Sequence, residues 1–187
     1  MDEYRRQGRL DGFPSNQELY QELAVPNRWD SGDVIFVKRL LQNRLPLDVR
    51  EEIASELFAR YVGVREEVFA RELYMNRHQI QVMKEGGMFF GLHGYDHCWL
   101  GKLPVEDMKR DIDMALEYFG DVVDKEKWVM NYPYGNYSED VLQYITQKGC
   151  CLGISVNVDF VVPGETNPYL LPRFDTNDLP PKGTKVR

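Results

Sequence analysis

From residue 76 onward the chain alternates between helix-period segments and short apolar runs, and this alternation constrains the fold more than any other feature. Asn76 followed by Gln79 is a capping-box pattern, Ile80 and Met83 give the helix an inward face, and Gly86-Gly87 stop it. Residues 88–92 (Met-Phe-Phe-Gly-Leu) form a continuous apolar run, which predicts a strand buried on both faces. Pro104 at a first helical position opens a strongly amphipathic helix, with Val105, Met108, Ile112, Ala115, Leu116 and Phe119 on one side. Residues 128–130 predict a second strand, and Pro133-Tyr134-Gly135 the turn after it. Ser138 caps a helix carrying Val141, Leu142 and Ile145, which Gly149 closes. Residues 151–156 predict a third strand and 170–173 a fourth. Helix and strand in this order imply right-handed crossovers and parallel strands, hence an α/β sheet or part of a β/α barrel. In such folds ligands gather at the carboxyl ends of strands.

The amino-terminal part reads differently. Residues 1–32 have no clear period and predict loop with a turn of helix at 17–23. From Asp33 a helix is predicted with Val34, Val37, Leu40 and Leu41 on one face. A second follows Pro46 and Asp48, with Ile53, Leu57 and Tyr61 repeating every four residues to Gly63. A third is predicted over 66–74.

Composition limits the function classes. At 187 residues the chain fits one domain, since single cores usually run to roughly 150 residues and can reach about 250. A hydrophobic content of 43% excludes disorder. The net charge of −7 argues against duplex nucleic acid as a partner, because that affinity comes from Lys and Arg on phosphates. No apolar run is long enough to span a bilayer, and the polar start (Met1-Asp2-Glu3-Tyr4-Arg5-Arg6) predicts no signal peptide. Three cysteines, an odd number with Cys150 and Cys151 adjacent to each other and Cys98 apart, predict reduced thiols and a cytoplasmic protein.

The chemistry concentrates in two loops, each just after a predicted strand. His93-Gly94-Tyr95-Asp96-His97 holds two of the three histidines. Imidazoles at this spacing suit one metal ion if the backbone turns helically between them, each ring needing an acceptor on its other nitrogen. The alternative is a pair of solvated or core histidines. A zinc-protease reading fails, because that motif needs Glu directly after the first histidine and a continuous helix. Cys98 reads as a structural thiol and His78 as a helix-surface residue. In Asn131-Tyr132-Pro133-Tyr134-Gly135-Asn136-Tyr137, Pro133 fixes φ and Gly135 allows an unusual turn, which holds Tyr134 at the strand end. The alternative there is a tyrosine-rich packing turn.

Together the two loops resemble the NodB-homology polysaccharide deacetylases, over about residues 73–155. His93 and His97 match the two histidines of that family's H-[S/T]-x-x-H motif, with Gly94 in place of the hydroxyl residue. Pro133, Tyr134 and Gly135 match its R-x-P-Y-G motif, with Asn131 where Arg is common. Leu100 and Leu103 match the leucines that follow the histidines, and Val141 to Gly149 the helix beyond. The resemblance implies a distorted or incomplete (β/α) barrel of NodB-homology type with an N-terminal helical insertion. One domain would cover 1–187, with the insertion at 33–74 and the core at 76–175. It implies a hydrolase of a non-peptide C–N amide bond that deacetylates an N-acetylated sugar or glycan precursor, in surface-glycan (O-antigen type) biosynthesis. It further implies a divalent metal, zinc first, on His93 and His97, and an oxyanion held by the Tyr134 backbone N–H. Asn131, Tyr132, Pro133, Gly135 and Tyr95 would line the substrate groove, with Arg173 and Asp175 at its border. Trp99 and Tyr137 are further candidates for stacking on sugar.

The family's first motif, T-F-D-D-G, with its base and third ligand, has no counterpart. Leu10-Asp11-Gly12-Phe13 is a faint echo, and Asp30 and Asp33 read as turn and cap residues. The late histidine is also missing. Two expectations follow: either the first motif lies upstream of Met1, or the chain is a catalytically degenerate carbohydrate-binding relative. The open sheet edge that a missing strand leaves is a liability that favours the first. A structural zinc site in an unrelated α/β domain is the third reading.

Overall fold

Two short helices open the chain where the sequence predicts mostly loop: α1, Asp2–Arg6, and α2, Asn16–Leu23. The computed structural model describes residues 1–27 and 29–180. Helix α2 is set by reciprocal capping: the Glu18 N–H donates to Ser15 Oγ at 3.2 Å and the Ser15 N–H to the Glu18 carboxylate at 2.7 Å. Helix α3, Gly32–Arg39, runs into a π-helical turn at Leu40–Arg44, and α4, Leu47–Tyr61, and α5, Glu66–Leu73, follow. These helices belong to one compact unit, Met1–Tyr74, and a second unit begins at Met75.

The first unit packs Tyr4, Leu10, Leu19, Leu40, Leu45 and Val49 into a small core. Half of the inward face expected of the helix from Asp33 holds, with Leu40 in this core and Leu41 packed on it. Val34 and Val37 are exposed, whereas Ile35 is buried and Phe36 packs on the core and against the Tyr20 ring at 5.1 Å. In α4 likewise, Leu57 and Tyr61 are exposed, and it is Phe58 that meets α5, edge-on to Phe69 at 5.5 Å. Leu10 is a core residue of this unit, and Asp30 pairs with Lys38 at 2.6 Å. Asp33 lies in the first turn of α3, behind the N-cap Ser31, and accepts the Tyr20 hydroxyl.

The second unit is mixed helix and sheet. Helix α6, Arg77–Glu85, begins with the expected box: the Gln79 N–H donates to Asn76 Oδ1 at 2.9 Å and the Asn76 N–H to Gln79 Oε1 at 2.8 Å. Asn76→Ala removes one side of this exchange and is expected to lower the stability of the unit by about 1 kcal/mol, read from hydrogen exchange along α6. Helix α7, Val105–Tyr118, buries Met108, Ile112, Ala115 and Leu116 as expected, whereas Val105 in its first turn is exposed. It also buries Asp111, which the apolar pattern did not mark.

Strands β1, Trp128–Asn131, and β2, Cys150–Ile154, pair in parallel, with helix α8, Glu139–Gln147, between them. Ser138 caps α8 and Gly149 follows it. The sheet is smaller than the sequence predicts. Of residues 88–92 only Leu92 pairs, in a single parallel bridge to Met130, and of 170–173 only Leu171, bridged to Ile154. Met88 and Phe89 are exposed rather than buried on both faces. The reason is one-sided pairing: Leu92 donates its N–H to the Val129 carbonyl and accepts from the Asn131 N–H, and among the described residues no strand covers its other edge. The four extended segments nevertheless lie in chain order and all parallel. The core beneath them joins Leu92, Leu100, Met108, Ile112, Trp128, Met130, Tyr132, Val141 and Ile145. No helix among the described residues is long and apolar enough to cross a membrane.

Candidate functional site

Leu92 anchors the start of the 93–97 loop and β1 delivers Asn131, so both loops leave the same end of the sheet. The two rings meet there, with His93 Nε2 and His97 Nε2 3.0 Å apart and the ring planes inclined at 67°. Both residues are exposed. The turn between them is not helical. Gly94 has φ +72° and His97 φ +53°, and these two left-handed residues bring the second ring back to the first. Glycine at this position has a backbone reason: at φ +72° any side chain is strained, a β-branched one most. A methyl at this position would also lie 3.0 Å from Asp111 Oδ1 and 3.2 Å from Pro133 Cγ.

Each ring is held from behind. His93 Nδ1 bonds the Asn131 main-chain carbonyl, which only accepts, so the ring carries a proton on Nδ1 and turns Nε2 toward His97. His97 Nδ1 lies 3.1 Å from the Tyr134 hydroxyl, and the two rings are 4.6 Å apart. Although the residue is exposed, partial desolvation of its ring holds the His97 imidazole below its ordinary value of 6.5; the neighbouring His93 adds to this and Asp111 works against it. The first two effects favour the neutral, ligating form. The loop itself hangs on Asp111, whose carboxylate accepts the N–H of Tyr95 at 3.0 Å and of Asp96 at 2.9 Å. Sequence reasoning missed Asp111; the one signal was an acid on an otherwise apolar helix stripe.

The other expected site residues separate into two groups. Tyr134 stands beside the pair in a left-handed conformation, φ +57°, and Trp99 stacks on it at 5.3 Å with the Lys102 ammonium above. Gly135, φ +66°, lies tight against Val156, where a Cβ would come within 2.3 Å of Cγ2. Pro133 is buried and braces Gly94, and Tyr95 is exposed. Asn131 serves through its carbonyl, its side-chain Oδ1 being buried with no hydrogen-bond partner among the described residues. Tyr132 departs from expectation: it is wholly buried, donating its hydroxyl to the Tyr169 carbonyl at 2.8 Å, so its ring presents no face to a sugar. Tyr137 packs against that ring at 5.5 Å. Asp175 caps a short 3-10 turn, accepting the Asn177 N–H, and Arg173 is exposed, joined to the Asn157 carbonyl through its main chain. Cys98 and His78 are not placed with the pair: the thiol donates to the Asp96 carbonyl at 3.8 Å, and His78 is on the exposed surface of α6.

With this geometry in view, the polysaccharide deacetylase family profile matches residues 59–152, half of the 187-residue chain. The chain belongs to the polysaccharide deacetylases. The match includes both loops, α7, β1 and the start of β2. No curated protein and no solved structure matches the chain. The family implies a hydrolase acting on amide bonds, with an acetylated carbohydrate as substrate. It is also generally metal-dependent. The donor chemistry of this deacetylase fits a divalent cation at two positions, since two imidazole nitrogens converge with their far nitrogens engaged. Among the described residues no third His, Cys, Asp or Glu side chain joins them.

Proposed function

We propose that this chain removes the acetyl group from an N-acetylated sugar, using a divalent cation, zinc first, held by His93 and His97. The observation that supports this reading is the 3.0 Å approach of two Nε2 atoms whose rings are oriented by the Asn131 carbonyl and the Tyr134 hydroxyl. When bound, a divalent cation supplies Lewis acidity toward the amide carbonyl of the substrate. The protein's own groups orient the two imidazoles and meet the developing charge, while the proton of the attacking water passes to the leaving nitrogen. The Asn131 carbonyl keeps the His93 proton on Nδ1, and the Tyr134 hydroxyl, when it accepts from Nδ1, orients His97 in the same way. The Tyr134 backbone N–H, at the rigid Pro133–Gly135 turn, is assigned to the oxygen that gains charge as water adds to the acetyl carbon. Exposed Tyr95 offers an aromatic face for a sugar ring. Acetate and an amino sugar leave. The parallel chain-order arrangement of the four extended segments supports the partial (β/α) barrel that the family's fold implies. An odd set of cysteines supports a reducing compartment, which suits a cytoplasmic precursor of an O-antigen-type surface glycan.

A second reading is favoured by one observation, the lack of a third metal-ligating side chain among the described residues: a carbohydrate-binding relative without catalysis. Acetate release from N-acetylglucosamine oligomers separates the two. The enzyme reading expects release that stops with a chelator and returns with zinc. Oligomer binding by calorimetry without any acetate, at every zinc concentration, would replace it with the second reading.

A further inference from the structure

We infer that Asp111 is a positioning residue: its carboxylate, reaching from α7, folds the 93–97 loop so that the two Nε2 atoms converge. This rests on the proposed function only for its consequence, metal affinity; the positioning itself stands on geometry. Asp111 is 5% exposed and lies on a helix face otherwise made of Met108, Ile112, Ala115 and Leu116. Among the described residues no Lys or Arg pairs with it, and a buried ion costs several kcal/mol unless something compensates. Two charge-assisted hydrogen bonds compensate, one oxygen for each of two successive backbone N–H groups, at 3.0 and 2.9 Å. These N–H groups belong to Tyr95 and Asp96, the residues that reverse the chain between the two histidines.

The wedge is completed from the other side. The Cα of Gly94 carries no side chain because Asp111 Oδ1 and Pro133 Cγ lie 3.0 and 3.2 Å from where a Cβ would stand. The loop is therefore gripped between α7 and the turn that also presents the Tyr134 hydroxyl to His97. Chemistry selects a carboxylate here. An amide of the same size offers one acceptor and turns an N–H toward an N–H, which leaves one buried donor unsatisfied. Thus α7, some fifteen residues along the chain, sets the spacing of a pair it does not touch.

The test reads ring geometry before metal. In the metal-free protein, nitrogen NMR of the imidazoles is expected to show His93 as a single Nδ1–H tautomer, with slow hydrogen exchange at the Tyr95 and Asp96 amides. Asp111→Asn, checked for its fold by circular dichroism, is expected to mix the tautomers and expose both amides. Its affinity for cobalt(II), followed by absorption, is expected to fall by roughly 10–100-fold. If Asp111→Asn does not fold, Gly94→Ala keeps the carboxylate but forces the wedge apart, and the same ring changes are expected. A folded variant with wild-type ring resonances overturns the inference, and so do fast-exchanging Tyr95 and Asp96 amides in the wild-type protein. Ring changes in a variant of a protein that binds no cobalt uphold the positioning role and sink the metal reading instead.

Discussion

His93→Ala is expected to abolish zinc retention and acetate release together while leaving the fold in place. The substitution leaves His97 Nε2 as a lone donor and removes the ring that donates to the Asn131 carbonyl. Losing a ligand outright should cost more than the ~10–100-fold that losing an outer partner typically costs. His93 is exposed, so the stability change should stay within about 1 kcal/mol, as for surface positions generally. Equilibrium dialysis against zinc and a thermal melt of the same sample read both quantities. Undiminished zinc binding by a folded His93→Ala protein would remove His93 from the site. A large stability loss on chelation of the wild-type protein would instead support a structural zinc role.

Trp128→Ala carries the largest expected effect on stability. The side chain has no exposure, sits at the start of β1 in the centre of the core, and donates its indole N–H to the Lys148 carbonyl at 2.9 Å. Truncation removes most of the ring's contacts and leaves a cavity, for which a loss of about 3–5 kcal/mol is usual. It also leaves the Lys148 carbonyl, at the end of α8, without its indole partner. Hydrogen exchange of α7 and α8 reads this unit separately from the first. A change under 1 kcal/mol in those amides would mean that β1 is not the centre of the core.

What the sequence made legible was local. Asn76 with Gln79, Ser138, and the apolar stripe of α7 each act within a turn or two of chain, and the structure shows them as expected. The histidine pair was legible because a short spacing and a preceding apolar residue both lie in one stretch of sequence. What was not legible depends on partners distant in the chain. The run 88–92 looks like a buried strand, yet whether it becomes one is decided by what pairs on each side, and only Leu92 finds a neighbour. Tyr132 and Tyr134 are alike in sequence, but the left-handed turn sends one ring into the core and the other to His97. Asp111 was hidden because its partners are backbone N–H groups, which carry no residue signature.

The most direct test of the central claim, that His93 and His97 share one cation, is zinc K-edge absorption on the zinc-loaded full chain. Two imidazoles per bound zinc are expected in the wild-type protein, and loss of the bound zinc in His97→Ala as in His93→Ala. A wild-type shell made of oxygen alone, or one unchanged by removing either histidine, would contradict the claim.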